Sequence, residues 1–130
     1  MSDWVLDASA LLALLNRESG SQRVAEALAE NAIMSTVNLS EVVAKLADIG
    51  MPEEEIHEAI EPLGLDFVDF NAADAFAAGL LRPATKLAGL SLGDRSCLAL
   101  GSRRGVPILT ADRGWNNLDL GDDLVVEMIP

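Results

Sequence analysis

Apolar and polar positions come in blocks along the chain, and block length switches between that of strands and that of helices. "WVLD" at 4–7 is a short apolar run that predicts a buried strand. Asp7-Ala8-Ser9 can cap the run Ala10–Leu15, a helix that stops near the polar stretch Asn16–Gly20. Val24, Ala27 and Leu28 recur at helical spacing within residues 21–31. "IMSTV" at 33–37 predicts a second strand. Asn38 then starts a helix through Ile49 that Gly50 closes. Another helix follows over 52–63, with Pro52 suited to its first turn and Gly64 at its end. "LDFVDF" at 65–70 predicts the third strand. Residues 72–81 are helical by their Ala and Phe spacing, and Pro83 should end or kink that helix. A helix over 92–103 and strands at 106–110 ("VPILT") and 124–129 ("LVVEMI") complete the pattern. Alternating strands and helices predict an α/β fold with a mainly parallel sheet of four to five strands, covered on both faces.

The 130 residues predict one domain over 1–130, and half of them are hydrophobic, enough for a sizeable core. No internal repeat, linker or low-complexity segment interrupts them. The apolar run after Asp7 is broken by Ser9 and falls far short of the ~20 residues of a membrane span. Residues 1–15 carry Asp3 and Asp7 and no Lys or Arg, which is not a signal-peptide pattern. A single cysteine, Cys97, excludes an intrachain disulfide, so the expectation is a soluble cytoplasmic protein without membrane attachment.

A net charge of −12 argues against a general nucleic-acid coat, which needs many Lys and Arg to displace counterions. The charge is uneven. Glu53, Glu54, Glu55, Glu58 and Glu61 crowd one segment, whereas residues 82–105 hold Arg82, Lys86, Arg95, Arg103 and Arg104 against Asp94 alone. A polyanion could be met by that basic segment, although solvated helix surface is the plainer reading of both runs.

In open parallel sheets, ligands bind beyond the carboxyl ends of the strands. Asp7 ends the first strand, Glu41 lies in the first turn after the second, and Asp112 follows the fourth by two residues. Asp94 opens a helix whose N-terminus could point at the same edge. Each has a local explanation. Asp7 or Ser9 can be an N-cap, and Asn38-Leu-Ser-Glu41 fits a capping-box-like pattern. Asp94 in a first turn suits the helix dipole, and Asp112 can form an Asx turn. Taken together, four such coincidences at one sheet edge favour a joint role. Two carboxylates about 5 Å apart repel by ~3 kcal/mol at an effective dielectric of about 20. Four of them need a cation or raised pKa values. Mg²⁺ or Mn²⁺ fits such oxygen ligands and leaves room for phosphate oxygens. Zinc fits poorly, because the one Cys and one His lie far apart in sequence.

"VLDASALLALL", "NLSEVVAKL" at 38–46, "GLSLGDRSCLAL" at 89–100 and "ILTADRGW" at 108–115, in this order, resemble a PIN domain of the VapC-type ribonuclease toxins. The resemblance covers essentially the whole chain. It implies a three-layer α/β/α fold and Mg²⁺- or Mn²⁺-dependent endoribonuclease activity by metal-activated water. It also implies a homodimer and inhibition by a cognate antitoxin protein. Asp7, Glu41, Asp94 and Asp112 correspond to the family's four acids, both catalytic and metal-binding. Ser9 and Thr110 take the hydroxyl positions that orient carboxylates or water from behind. The departure is Gly101, where alanine would suit the helix better.

Other residues carry weaker signals. Arg82, Arg95 and Arg113 can contact RNA phosphates or form local ion pairs. His57 reads as a surface histidine and Cys97 as a buried structural thiol. Trp115 reads as packing on the last strand rather than stacking on a base. Val42, Val43 and Leu46 read as core rather than antitoxin groove. An aspartyl-phosphate phosphatase would want an acid two residues after Asp7, where Ser9 stands. A phosphorelay receiver would want a Lys late in the chain, and residues 106–112 have none. A non-catalytic PIN scaffold and a structure-specific DNA nuclease remain as alternatives.

Overall fold

A computed structural model describes residues 3–116, 118, 119, 121 and 124–130. Five short strands form the sheet: β1 (Trp4–Leu6), β2 (Ala32–Ser35), β3 (Asp66–Val68), β4 (Ile108–Thr110) and β5 (Val126–Met128). Among the described residues, the α-helices that connect them are α1 (Ala8–Leu15), α2 (Ser21–Glu30), α3 (Thr36–Asp48), α4 (Glu53–Ile60), α5 (Ala72–Leu80), α6 (Arg82–Thr85) and α7 (Leu92–Arg104). The strand order is β3-β2-β1-β4-β5, and every neighbouring pair is parallel. All five carboxyl ends therefore lie at one edge. The order turns outward in both directions from β1, so the crevice beyond β1 and β4 is where such sheets bind ligands.

Strand alternation divides the core. Val5, Ile33 and Ile108 point to one face and pack with Leu98, Leu100 and Trp115. Leu6, Met34 and Leu109 point to the other and pack with Leu11, Val24 and Val42. Successive apolar side chains on opposite faces need a helical layer on each side. Helices α1 to α4 supply one layer; α7, with α5 packed on it, supplies the other. The three-layer α/β/α sandwich is thus the fold observed. Among the described residues no helix is long and apolar enough to cross a membrane.

Several boundaries move from their expected places. β2 stops at Ser35, whose hydroxyl accepts the Val37 amide at 3.2 Å and caps α3. The β-branched pair Thr36-Val37 favours a strand by propensity, but the cap starts the helix there instead. Asn38 is consequently inside the helix, the capping box expected between Asn38 and Glu41 does not form, and Glu41 falls in the second turn. Pro52 stands just before α4 rather than within it, and residues Glu61–Leu63 tighten into a 3₁₀ turn that Gly64 closes at φ +72°. Helix α5 ends at Leu80, and Pro83 sits in the first turn of the single-turn α6.

Three further expectations separate. Val42 and Leu46 are core residues, but Val43 faces out into a groove between α3 and α4. Trp115 is buried against Val126 and Met128, and Cys97 is fully buried. Gly101 has a packing reason. A Cβ there would come within 2.7 and 2.8 Å of Ile108 Cδ1 and Cγ1, so glycine lets α7 lie close on β4.

Candidate active site

Asp7 is the first residue past β1 and is only 3% exposed. Its Oδ1 accepts the Ala10 amide at 2.8 Å, which makes it the N-cap of α1. The Ser9 hydroxyl lies 2.8 and 2.9 Å from its two oxygens, and the Thr110 hydroxyl donates to Oδ2. Each hydroxyl also accepts a backbone amide from the segment after β4. Ser9 Oγ takes Ala111 N at 2.9 Å, and Thr110 Oγ1 takes Asp112 N at 3.0 Å. One carboxylate thus ties the end of β1 to the end of β4 and fixes the backbone that carries Asp112. The two hydroxyls thus lie between the Asp7 carboxylate and the backbone that follows β4.

Burial drives the Asp7 carboxyl up from 3.8 to about 6. Hydrogen bonds from Thr110, the Ala10 amide and Ser9 pull the other way, and the charge of Asp94 adds to the rise. Burial also raises Glu41; the Asn38 amide opposes this, Asp94 adds to it, and Lys45 opposes it. Asp94 therefore acts electrostatically on both Asp7 and Glu41, and the backbone amide of Asp112 is linked to Asp7 through the Thr110 hydroxyl. Burial pushes the Cys97 thiol well up, and the charges of Asp7, Asp94 and Glu41 add to it. A neutral, enclosed thiol is a packing element here.

The local explanations of three acids turn out to hold alongside any joint role. Asp7 caps α1. Asp94 Oδ2 accepts the Ser91 amide at 3.0 Å, completing a reciprocal capping box with Ser91 at the start of α7. Asp112 Oδ1 accepts Gly114 N at 2.8 Å in a tight turn. Glu41 differs, since its Oε1 accepts from the Asn38 side chain at 2.9 Å. Among the described residues, Glu41 Oε2, Asp94 Oδ1 and Asp112 Oδ2 have no hydrogen-bond donor, and no Lys or Arg forms an ion pair with any of the four acids. This is a set of hard oxygen donors lacking a counter-cation, which fits a divalent ion of the Mg²⁺ or Mn²⁺ kind. As the side chains stand, no three His, Cys, Asp or Glu groups among the described residues are gathered tightly enough to grip an ion.

The three arginines fall in different settings. Arg82 and Arg113 are exposed. Arg95 lies between α7 and α5, with Nη1 donating to the Ala78 carbonyl at 3.1 Å and Nε buried without a partner. It is half-buried and forms no ion pair among the described residues. His57 is exposed between Glu53 and Glu61, at 3.5 and 3.2 Å. Asn38 is the residue that sequence reasoning misplaced. The available signal was its position three residues before Glu41, a spacing that brings side chains together within a helix as well as across a cap.

The sequence matches the PIN-domain family over residues 4–120, and the chain belongs to that family. No curated protein matches it in sequence. Among solved structures it is similar to VapBC2 from Rickettsia felis bound to a DNA fragment from its promoter, at 17% identity and a TM-score of 0.75, with 98% of both chains covered. It is also similar to DNA-bound VapBC from Salmonella typhimurium, at 16% identity and a TM-score of 0.74, again over 98% of each chain. VapBC-5 from Mycobacterium tuberculosis, a member of a toxin–antitoxin family, shares 16% identity at a TM-score of 0.64, over 99% of this chain and 100% of that one. At these identities the likeness is one of fold.

Proposed function

We propose that this chain is a divalent-metal-dependent endoribonuclease, the toxin of a VapBC-type pair, folded as one PIN domain over 1–130 and working in the cytoplasm. The observation that carries the reading is Asp7. A carboxylate 3% exposed joins β1 to β4 at the ligand-binding edge of the sheet, with Asp94 acting on it and no Lys or Arg among the described residues paired to it. Glu41, Asp94 and Asp112 each offer one unpartnered carboxylate oxygen towards the same role. In this reading Asp7, Glu41, Asp94 and Asp112 hold Mg²⁺ or Mn²⁺. The ion when bound would activate water and stabilise charge on a phosphodiester. Ser9 and Thr110 keep Asp7 oriented, and the Thr110–Asp112 amide contact keeps Asp112 in register. Arg82 and Arg113 are free to meet RNA phosphates. Cleavage by water gives a 5′-phosphate and a 3′-hydroxyl; products carrying a 2′,3′-cyclic phosphate would refute the scheme.

Two surfaces support the partner assignments. The groove between α3 and α4 measures 580 Å³ and is lined by Leu39, Val43, Met51, Ile56 and Phe67, with Glu53 and Glu61 at its rim. An apolar segment of the antitoxin with basic flanks fits that chemistry. Helix α5 exposes Phe76 and Leu80 one turn apart, at 75% and 78%, which suits a homodimer contact.

The deciding experiment is a thermal-melt titration with Mn²⁺ and Mg²⁺ on the wild type and on Asp94→Asn. Wild type should melt higher as metal rises through the millimolar range, and the variant should respond much less. A wild type that ignores both metals would favour the PIN-scaffold reading. Cleavage of DNA but not RNA by the metal-loaded protein would favour the DNA-nuclease reading.

A further inference from the structure

Asn38 stands inside α3 and is 1% exposed. Its Nδ2 donates to Glu41 Oε1 at 2.9 Å and to the Gly93 carbonyl at 3.0 Å. Two acceptors on one side fix the amide's orientation, because only the NH₂ end can serve them. Its Oδ1 is buried with no donor among the described residues. Gly93 is buried and immediately precedes Asp94. A Cβ built at Gly93 would overlap both carboxylate oxygens of Glu41. The Glu41 carboxylate therefore rests against the bare backbone at the start of α7 and is held there by an amide from its own helix.

Fold stability does not account for this arrangement. Asparagine is a weak helix former, and a buried amide whose oxygen lacks a donor is destabilising. An apolar residue at the same buried place would avoid both. A long glutamate side chain, by contrast, has several rotamers to lose when it binds an ion, and restricting them beforehand favours binding.

We infer that Asn38 is a positioning residue for Glu41 and that Gly93 is the seat it needs, the two together clamping a metal-binding carboxylate beside Asp94 and so joining α3 to α7. This rests on the metal-site reading given above. It adds two residues, neither of them an acid, to what that site requires.

The test is Mn²⁺ binding, followed by the loss of the free-ion electron paramagnetic resonance signal. The proteins are wild type, Asn38→Ala, Glu41→Gln and the double variant, each checked for folding by its melt in chelator. Asn38→Ala should weaken Mn²⁺ binding about tenfold in the wild-type background. It should cost nothing more once Glu41 is Gln, because its effect passes through that carboxylate. Equal losses in both backgrounds would mean a mere packing role and would overturn the inference, as would wild-type affinity in Asn38→Ala. Gly93→Ala crowds the same carboxylate from the other side and must show the same dependence on Glu41; it serves if Asn38→Ala does not fold. A wild type that takes up no Mn²⁺ removes the metal site itself and the inference with it. A wild type that binds while both clamp variants bind equally well removes only the inference.

Discussion

A buried carboxylate that lacks a cation makes a fold less stable than it could be, and Asp7 shows where that cost appears. Its folded pKa of about 6 lies above the ordinary 3.8, so the folded protein holds this proton more tightly than the unfolded chain. The stability is fully present below 3.8 and is lost as pH rises through about 6. The gap corresponds to on the order of 3 kcal/mol. Asp7→Asn should therefore melt above wild type at pH 8 in chelator, and the margin should shrink as pH falls towards 4. Ser9 and Thr110 can turn to accept from the new amide, which keeps the joint intact. Superimposable melts of the two proteins from pH 4 to pH 8 would contradict the burial argument. The four acids were candidates at this scale because the sequence reads each at a strand end or in a first helical turn, although Glu41 falls in the second turn of α3. Asn38 was not, because its meaning depends on a helix boundary that moved by two residues when Ser35 supplied the cap.

Among the elements, α7 carries the most information. Ser91-Leu92-Gly93-Asp94 is a capping-box sequence, and the box forms. Asp94 is thereby held at the N-terminus of a helix whose other end is fixed by contact with β4. Gly101 sets that contact. Replacing it with alanine gains ~1 kcal/mol of helix propensity, but the added methyl would press on Ile108, which is fully buried, and lie 3.2 Å from the Val106 carbonyl. Overpacking of this kind costs about 1–3 kcal/mol. Gly101→Ala should thus lower the melting temperature by a few degrees despite the better propensity, and an unchanged or raised value would show that Ile108 yields freely. Propensity alone gave the opposite expectation, because a helix read in isolation has no neighbour.

For the whole molecule, the proposed assembly predicts a separable surface. Phe76→Glu with Leu80→Glu should turn a dimer into a monomer in light scattering, with the Mn²⁺ response of the melt unchanged, since neither residue touches the acids. A wild type that is already monomeric would remove the dimer from the account. Val43 shows why such surfaces escaped the sequence. It and Val42 are identical residues on one helix, yet one is core and the other lines the α3–α4 groove. The local pattern marks a helix as apolar on a broad side; only the angle at which α4 and β3 approach decides where the core stops.

What the chain determined by itself was the order of its five strands and of the longer helices between them, and with them a consequence of parallel topology. Strands that run the same way put every carboxyl end at one edge, so acids placed after strands must share a neighbourhood. Which of them meet, and through what, was decided by the tertiary structure. Thr110 reaches Asp7 across 103 residues and Asn38 reaches Gly93 across 55. Hydrophobic periodicity says which face of an element is buried, but it names no partner. Contacts between positions that far apart in sequence arise only when the layers close, because strand register and helix approach are set by packing that no local stretch contains.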